Sequence, residues 1–488
     1  MRLRPSAPSI VKLNGFHQRG SLTAVPFSFA TVAAVVQIGD TYWMLKLRFC
    51  ALLLVLAATA AFAQTPVVLI SIDGMRPDYI TNPMACQVSF PTLQHFLIEG
   101  THAEGVIGVL PTLTYPSHTT LITGVEPARH GIWGNTTFDP EWKNQSGWYW
   151  YAEDIKADTL WDAAARKGLV TASVGWPVSV GQRNIRYNIP EYWRAGNTED
   201  RKLQRALSTP EFYDAVAQQL RSIQLTEGAY LATDEAFAQA AIYAISSKHA
   251  SFVTLHMGTL DEEEHAHGPF SQQACQTLVE LDKQVGLVER AAVAANPDAV
   301  VAVVSDHGFA RTDHRVNLQV PFVKAGLITL GQYGATVTGW KASIFPGGGS
   351  AGIVLHDPND KATEKAVRKL LHELASDPSN GIAAVLEKPE IEKLGGYPNA
   401  TFVVDLQLNY QLGFATQGEL ITPAPSTGMH GYLPSHPELR SSFFVLGEGI
   451  AAGRNLGVVD MRQIAPTLAK ILGVTLKDAR LPPLDVRK

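Results

Sequence analysis

An α/β fold with a mostly parallel sheet and helices on both faces is the class this sequence predicts, and three observations carry that expectation. Continuous apolar runs end in acids, histidines and glycines; helix-like stretches alternate with those runs; and the composition is that of an ordinary globular chain. Of 488 residues, 46% are hydrophobic and 17% charged, enough for a large core and too apolar for a disordered chain. The net charge of −5 leaves no basic surface for a nucleic-acid polymer, so a nucleotide ligand is expected to be small and held by metal or local contacts.

The first element in chain order is not part of that fold. Residues 44–64 carry two positive charges, an apolar run and the small-residue ending Ala61-Phe-Ala63, the pattern of a signal peptide. The run is short for a membrane span, so the mature chain is expected to start after Ala63, to be periplasmic or secreted, and to have no stable membrane insertion. Residues 1–43 then read as an extension ahead of a start at Met44, and 1–63 are set apart from the fold. An uncleaved anchor is the lesser alternative. Of three cysteines, Cys50 lies inside the signal, and Cys86 and Cys275 fit one disulfide as well as two buried thiols.

Pro66-Val-Val-Leu-Ile-Ser-Ile-Asp-Gly74 reads as a strand buried on both faces, with Asp73 at the carboxyl edge where open α/β folds place ligands. Residues 250–258, which run into Asp261-Glu-Glu-Glu-His265, and residues 298–308, which end in Asp306-His307-Gly308, are two more such runs. Stretches 159–167, 210–220, 233–247 and 272–295 are helix-like. Residues 138–151 hold Trp142, Trp148, Tyr149, Trp150 and Tyr151 without periodicity, and fit a ligand-lining loop and a satellite core equally. Residues 180–196, with Tyr192, also lack periodicity. Residues 316–427, with a strong helix at 359–375 and short strands at 350–355 and 401–406, read as an inserted α+β subdomain. The catalytic core is then 64–315 and 428–488, closed by a strand at 443–446 and an amphipathic helix at 461–472.

The stretch Leu110-Pro-Thr-Leu-Thr-Tyr-Pro-Ser-His-Thr-Thr-Leu-Ile-Thr-Gly124 sets one hydroxyl, Thr114, just before an expected helix from Pro116 to Thr123. Pro suits a first helical position and Gly124 a stop, and the N-terminal N–H groups beside Thr114 favour a phosphate oxygen. Taken alone, the stretch is better read as a corner whose Thr caps the helix. The acids and histidines reverse that reading. Asp261 and His265, four apart, project from one helical face. With Asp73, Asp306, His307 and His430 they make three acids and three histidines, sufficient for two zinc-like sites. Two close cations lower a hydroxyl's pKa, orient it for attack and neutralise a phosphoryl transition state, which accounts for a nucleophilic Thr with no adjacent base. His118, His130, His267 and His314 fit no such spacing and read as structural or supporting.

In these motifs the sequence resembles the nucleotide pyrophosphatase/phosphodiesterase family of the alkaline phosphatase superfamily. Those that match are Ser71-Ile-Asp-Gly74, Pro111 to His118 continuing to Gly131-Ile-Trp-Gly-Asn135, Asp261-x-x-x-His265-x-x-Gly268, Asp306-His-Gly308 and His430-Gly-Tyr432, in the family's order. The resemblance implies an alkaline phosphatase-like core and a Thr114 nucleophile that also ligates metal. It implies two zinc ions, one on Asp73, Asp306 and His307 and the other on Asp261, His265 and His430. It further implies that the Asn135 amide and the Thr114 N–H bind a phosphoryl oxygen. Tyr115 stands where relatives place a base-stacking aromatic, with Tyr192 as the opposing ring. Ser117 departs from the Asn of many relatives, which touches the turn more than the chemistry.

The expected activity is hydrolysis of phosphodiester or pyrophosphate bonds of nucleotides or similar small substrates through a phospho-threonine. The rivals are a phosphomonoesterase or phosphonate hydrolase on the same core, and an inactive metal-stabilised binding protein. Monoester enzymes usually add a cation for the extra charge. Arg129 is the nearest to Thr114 in sequence.

Overall fold

The computed structural model describes residues 65–82, 84–144, 147–192, 198–219, 230–332 and 336–488. The expected signal peptide and the residues before it lie outside the described residues, as does Trp193.

Eight strands form the central sheet: β1 (Val67–Ile72), β2 (Thr101–His102), β3 (Thr171–Val174), β4 (Tyr187–Ile189), β5 (Phe252–Met257), β6 (Val300–Val304), β7 (Phe443–Gly447) and β8 (Arg454–Asn455). Their spatial order is β8-β2-β7-β6-β1-β5-β3-β4. The run from β6 to β4 is parallel throughout, and β7 is antiparallel to both neighbours. Every residue of β1 is buried because the sheet is covered on both sides. The pleat divides them: Val68, Ile70 and Ile72 join the cluster that holds Leu278, Leu281 and Val285, while Val67 and Leu69 join the cluster of Leu121, Ile122, Trp161 and Leu468.

Some helices begin where the sequence supplies side-chain caps. Ser271 accepts from Ala274 N and opens the helix Gln272–Ala295, and Thr159 with Asp162 forms a capping box at Leu160–Arg166. The expected helix at 461–472 is split: Asp460 caps a 3-10 turn at Met461–Gln463, and the α-helix proper is Ile464–Leu472.

Residues 310–429, past β6, form smaller sheets apart from the central one. Ala342–Pro346, Ser350–Leu355, Phe402–Leu406 and Ile382–Glu387 make a four-stranded one, and the helix Lys361–Ala375 follows an Asp360 cap. Ala310–Val316 pairs with Tyr410–Leu412 and Ile421–Met429, so this three-stranded sheet crosses the expected boundaries at 315 and 428. Residues from Gln64 to Lys488 form one compact unit. Cys86 and Cys275 are joined as a disulfide, which ties the loop after the short helix Asp78–Thr81 to the helix Gln272–Ala295. Among the described residues no helix is long and apolar enough to cross a membrane.

Candidate active site

Register fixes the site before any loop does. Ile72 pairs with Met257, Ser71 with Val304, and Val174 with both Leu255 and Ile189, so the parallel strands end together and their following residues share one edge. Asp73 follows β1, and its N–H donates to Met257 O at 2.9 Å. Asp306 follows β6 and accepts from Gly74 N–H at 3.1 Å. Gly74 has φ of +77°, and a Cβ there would lie 2.6 Å from Glu264 Oε2, so only glycine fits this turn.

The helix α1 runs Thr114–Thr123 and starts two residues before the expected Pro116, because extended Leu113 is its N-cap and Leu113 O accepts the Ser117 N–H. Gly124, with φ of 73°, closes it. Thr114 is thus the first helical residue and not the cap. Its hydroxyl lies 3.4 Å from His307 Nε2, and the helix-cap alternative falls away. His118, one turn on, hydrogen-bonds Thr114 O at 2.8 Å and Ser71 Oγ at 2.9 Å, fastening the helix start to β1.

His307 Nε2 is 3.4 Å from Asp73 Oδ1 and 3.1 Å from Asp306 Oδ2. Asp261 and His265, on the helix α2 (Thr259–His267), lie 3.5 Å apart, and His430 Nε2 is 3.6 Å from Asp261 Oδ1. Donor atoms of Asp261, His265 and His430 fall within 4.8 Å of one another, as do those of Asp73, Asp261 and His307. The two groups inferred from sequence are therefore contiguous, with Asp261 in reach of both. His430 is held by a hydrogen bond to Thr112 O at 3.0 Å.

Electrostatics argue that these atoms await a cation. Asp73 Oδ1, Asp261 Oδ1, Asp306 Oδ2 and His307 Nδ1 are buried with no hydrogen-bond partner. An unneutralised buried carboxylate costs several kcal/mol, whereas an exposed ion pair contributes about 1 kcal/mol at most, so stability alone does not explain the cluster. Burial, with repulsion from Asp306 and Asp261, raises Asp73 well above the usual carboxylate range. Burial, opposed by His256 and reinforced by Asp261, pushes Asp306 up to about 7. Burial holds His307 well below its ordinary value and His430 down to about 4, so both rings are neutral and able to ligate. These buried, unpartnered oxygen and nitrogen donors could hold a metal ion.

The groups expected to meet substrate are placed unevenly. Asn135 Oδ1 accepts from Tyr115 N–H at 3.0 Å, which turns the other end of the amide away from that bond. Tyr115 is wholly buried, its hydroxyl bonded to Glu191 Oε1 at 3.0 Å. Trp148 stands edge-on to its ring at 5.2 Å and Trp150 at 6.0 Å. Tyr192 packs on Trp150 at 5.0 Å, so Trp150 contacts both rings that the sequence reading set opposite each other. The aromatic loop is in part a satellite core: Tyr149 and Trp150 are buried, while Trp148 is half-buried and stacks on Trp150 at 5.5 Å. Arg129 is committed to Asp478, whose backbone oxygen it reaches at 3.1 Å, as a structural residue would be.

Sequence reasoning missed Glu191, His256 and Glu264. His256 is a polar residue within an apolar strand, which was a readable signal. Burial of Glu264 against Tyr79 Oη at 2.8 Å had none.

The chain is similar to several known proteins. Residues 67–433 match the family model described as type I phosphodiesterase / nucleotide pyrophosphatase. Human ectonucleotide pyrophosphatase/phosphodiesterase family member 1 is 25% identical over 259 residues, covering 51% of this chain and 24% of that protein. Venom phosphodiesterase 2 of Crotalus adamanteus is 26% identical over 283 residues, covering 55% and 30%. The matched parts thus span under a third of these curated relatives. The solved structure of murine ectonucleotide pyrophosphatase / phosphodiesterase 5 superposes with a TM-score of 0.59 at 19% identity, over 86% of this chain and 98% of that one, which establishes the alkaline phosphatase-like fold. An inactive threonine-to-alanine form of that protein is described in complex with AMP.

Proposed function

Because the chain belongs to the type I phosphodiesterase / nucleotide pyrophosphatase family, we propose that it is an exported two-zinc hydrolase of phosphodiester or pyrophosphate bonds in nucleotides or similar small substrates. The observation that carries this reading is Thr114 Oγ beside His307 Nε2, among buried carboxylate and imidazole atoms that lack partners.

Asp73, Asp306, His307 and Thr114 hold one zinc and Asp261, His265 and His430 the other; bound there, the ions supply charge neutralisation and lower the pKa of a hydroxyl or water. Thr114 Oγ forms a bond to phosphorus as the bond to the leaving oxygen breaks, giving a phospho-threonine and an alcohol or nucleotide product. Water then attacks the same phosphorus, the bond to Thr114 Oγ breaks, and the phosphate monoester leaves as the Thr114 hydroxyl re-forms. The Thr114 N–H, at a helix N-terminus, and the Asn135 amide N–H donate to the non-bridging oxygen, a role worth about 3 kcal/mol in comparable donors. Trp148, half-buried at the edge of Tyr115, supplies the stacking face in place of Tyr115, and Tyr192 supports it through Trp150. AMP in the murine neighbour is consistent with a nucleotide ligand. The expected signal segment and the Cys86–Cys275 disulfide support export to the periplasm or medium.

Arg129 engaged with Asp478 favours diester over monoester chemistry, since a monoester's extra charge calls for a free cation. The test compares hydrolysis of a nitrophenyl phosphodiester with that of the monoester, with mass-spectrometric trapping of phosphorylated Thr114. Faster monoester turnover, or no trapped species under burst conditions, would sink the reading.

A further inference from the structure

A line of contacts leaves the ligand group sideways along the carboxyl edge of the sheet. Strands β1, β5, β3 and β4 are adjacent and parallel, so Asp73, His256, Gly175 and Glu191 follow one another along that edge. His256 Nε2 is 3.0 Å from Asp73 Oδ2. Its Nδ1 is 3.0 Å from Gly175 O and 3.4 Å from Glu191 Oε2. The other Glu191 oxygen accepts from Tyr115 Oη at 3.0 Å. Both nitrogens of this buried ring face oxygen, so it bridges a ligand carboxylate on one side to the residue after Thr114 on the other.

The consequence for Asp73 is geometric. A carboxylate presents two equivalent oxygens, and rotation about its last bond exchanges them. With Oδ2 engaged by His256, Oδ1 is the oxygen turned toward His307 and left without a hydrogen-bond partner. Outer partners of ligating groups typically change metal affinity 10- to 100-fold.

We propose that His256 is a positioning residue for the first metal group: it holds Asp73 so that Oδ1 faces the ion, and Glu191 locks that ring and Tyr115 into one array. This rests on the reading of Asp73 as a zinc ligand. A purely structural histidine would instead matter to stability alone.

Two near-isosteric variants separate these roles. His256→Gln places an amide N–H near the ring Nε2 and can still reach Asp73, whereas His256→Asn places one near Nδ1 and cannot. Zinc is titrated against a competing chelator with no substrate present. His256→Asn is expected to weaken one of two zinc equivalents about 10- to 100-fold and leave the other within about 2-fold, with His256→Gln restoring most of the loss. Glu191→Gln, which keeps an acceptor for Tyr115, is expected to weaken the same equivalent by less. Wild-type binding in the Asn variant, equal loss of both equivalents, or Gln no better than Asn overturns the proposal. A wild-type chain that binds two zinc ions and cleaves no diester would sink the function above and leave this inference standing; one that binds no zinc removes the premise of both.

Discussion

The ligand edge of the sheet and the aromatic wall meet at Thr114 and Tyr115, yet they are built differently. Asp73 and Asp306 emerge from parallel strands whose register fixes where each chain ends, and the strands' own hydrogen bonds hold those ends. Trp148, Trp150 and Tyr192 come from segments with little regular structure, positioned by one another and by an isolated bridge between Thr136 and Trp148. A cluster of like charges that must converge within a few ångströms needs a rigid frame, because burial and repulsion oppose its assembly. A stacking wall is apolar, and packing can rearrange it at lower cost. On the proposed reading, chemistry sits on the strands and helix start, and selectivity on the loops.

The largest expected effect tests the chemical side of that contrast. Thr114→Ala should lower turnover on the best diester on the order of 10³-fold or more and leave zinc content and thermal midpoint near wild type, since the hydroxyl makes no cap. Retained turnover in a steady-state assay would contradict the nucleophile assignment; Thr114→Ser should keep substantial activity. Next in size, His430→Ala should shed one of two zinc equivalents by elemental analysis while Asp73, Asp306 and His307 keep the other. Loss of both equivalents together would mean that Asp261 makes the groups one indivisible site.

On the wall the expected change is smaller and of another kind. Trp148→Ala should raise KM for a nucleotide substrate about 10-fold and barely move kcat, in line with about 1–3 kcal/mol for a base on an aromatic ring. A nitrophenyl diester should feel it less. A fall in kcat alone would erase the distinction between wall and edge.

The smallest effect concerns the tie behind His430. His436 Nε2 is 2.7 Å from Asp405 Oδ2, and the other Asp405 oxygen accepts from Leu433 N–H at 2.9 Å, so the loop after His430 is pinned to the strand Phe402–Leu406. The hydrogen bond to Asp405, working against burial, raises His436 above its ordinary value. A histidine whose folded pKa exceeds its unfolded one contributes stability that is full below about pH 6.5 and fades as pH rises through the folded value. His436→Gln should thus cost about 1 kcal/mol near pH 6 and less in alkaline buffer, read from denaturant midpoints. A cost that grows with pH would reverse this sign.

Much of the ligand edge was legible in the sequence, since the apolar runs ending in Asp73 and Asp306 have the period and length of buried parallel strands, and Asp261 and His265 have the spacing of one helical face. The same holds for the helix Gln272–Ala295, whose Ser271 cap is local information. Other features depend on contacts remote in sequence. Whether Cys86 and Cys275 pair, and that Tyr115 lies beneath Trp148 and Trp150, were settled by which segments pack together. His256 turns from a lone polar residue in a strand into a bridge because β3 and β4 bring Gly175 and Glu191 beside it. Local periodicity determines which residues reach the edge of the sheet; only the order of the strands decides which of them touch.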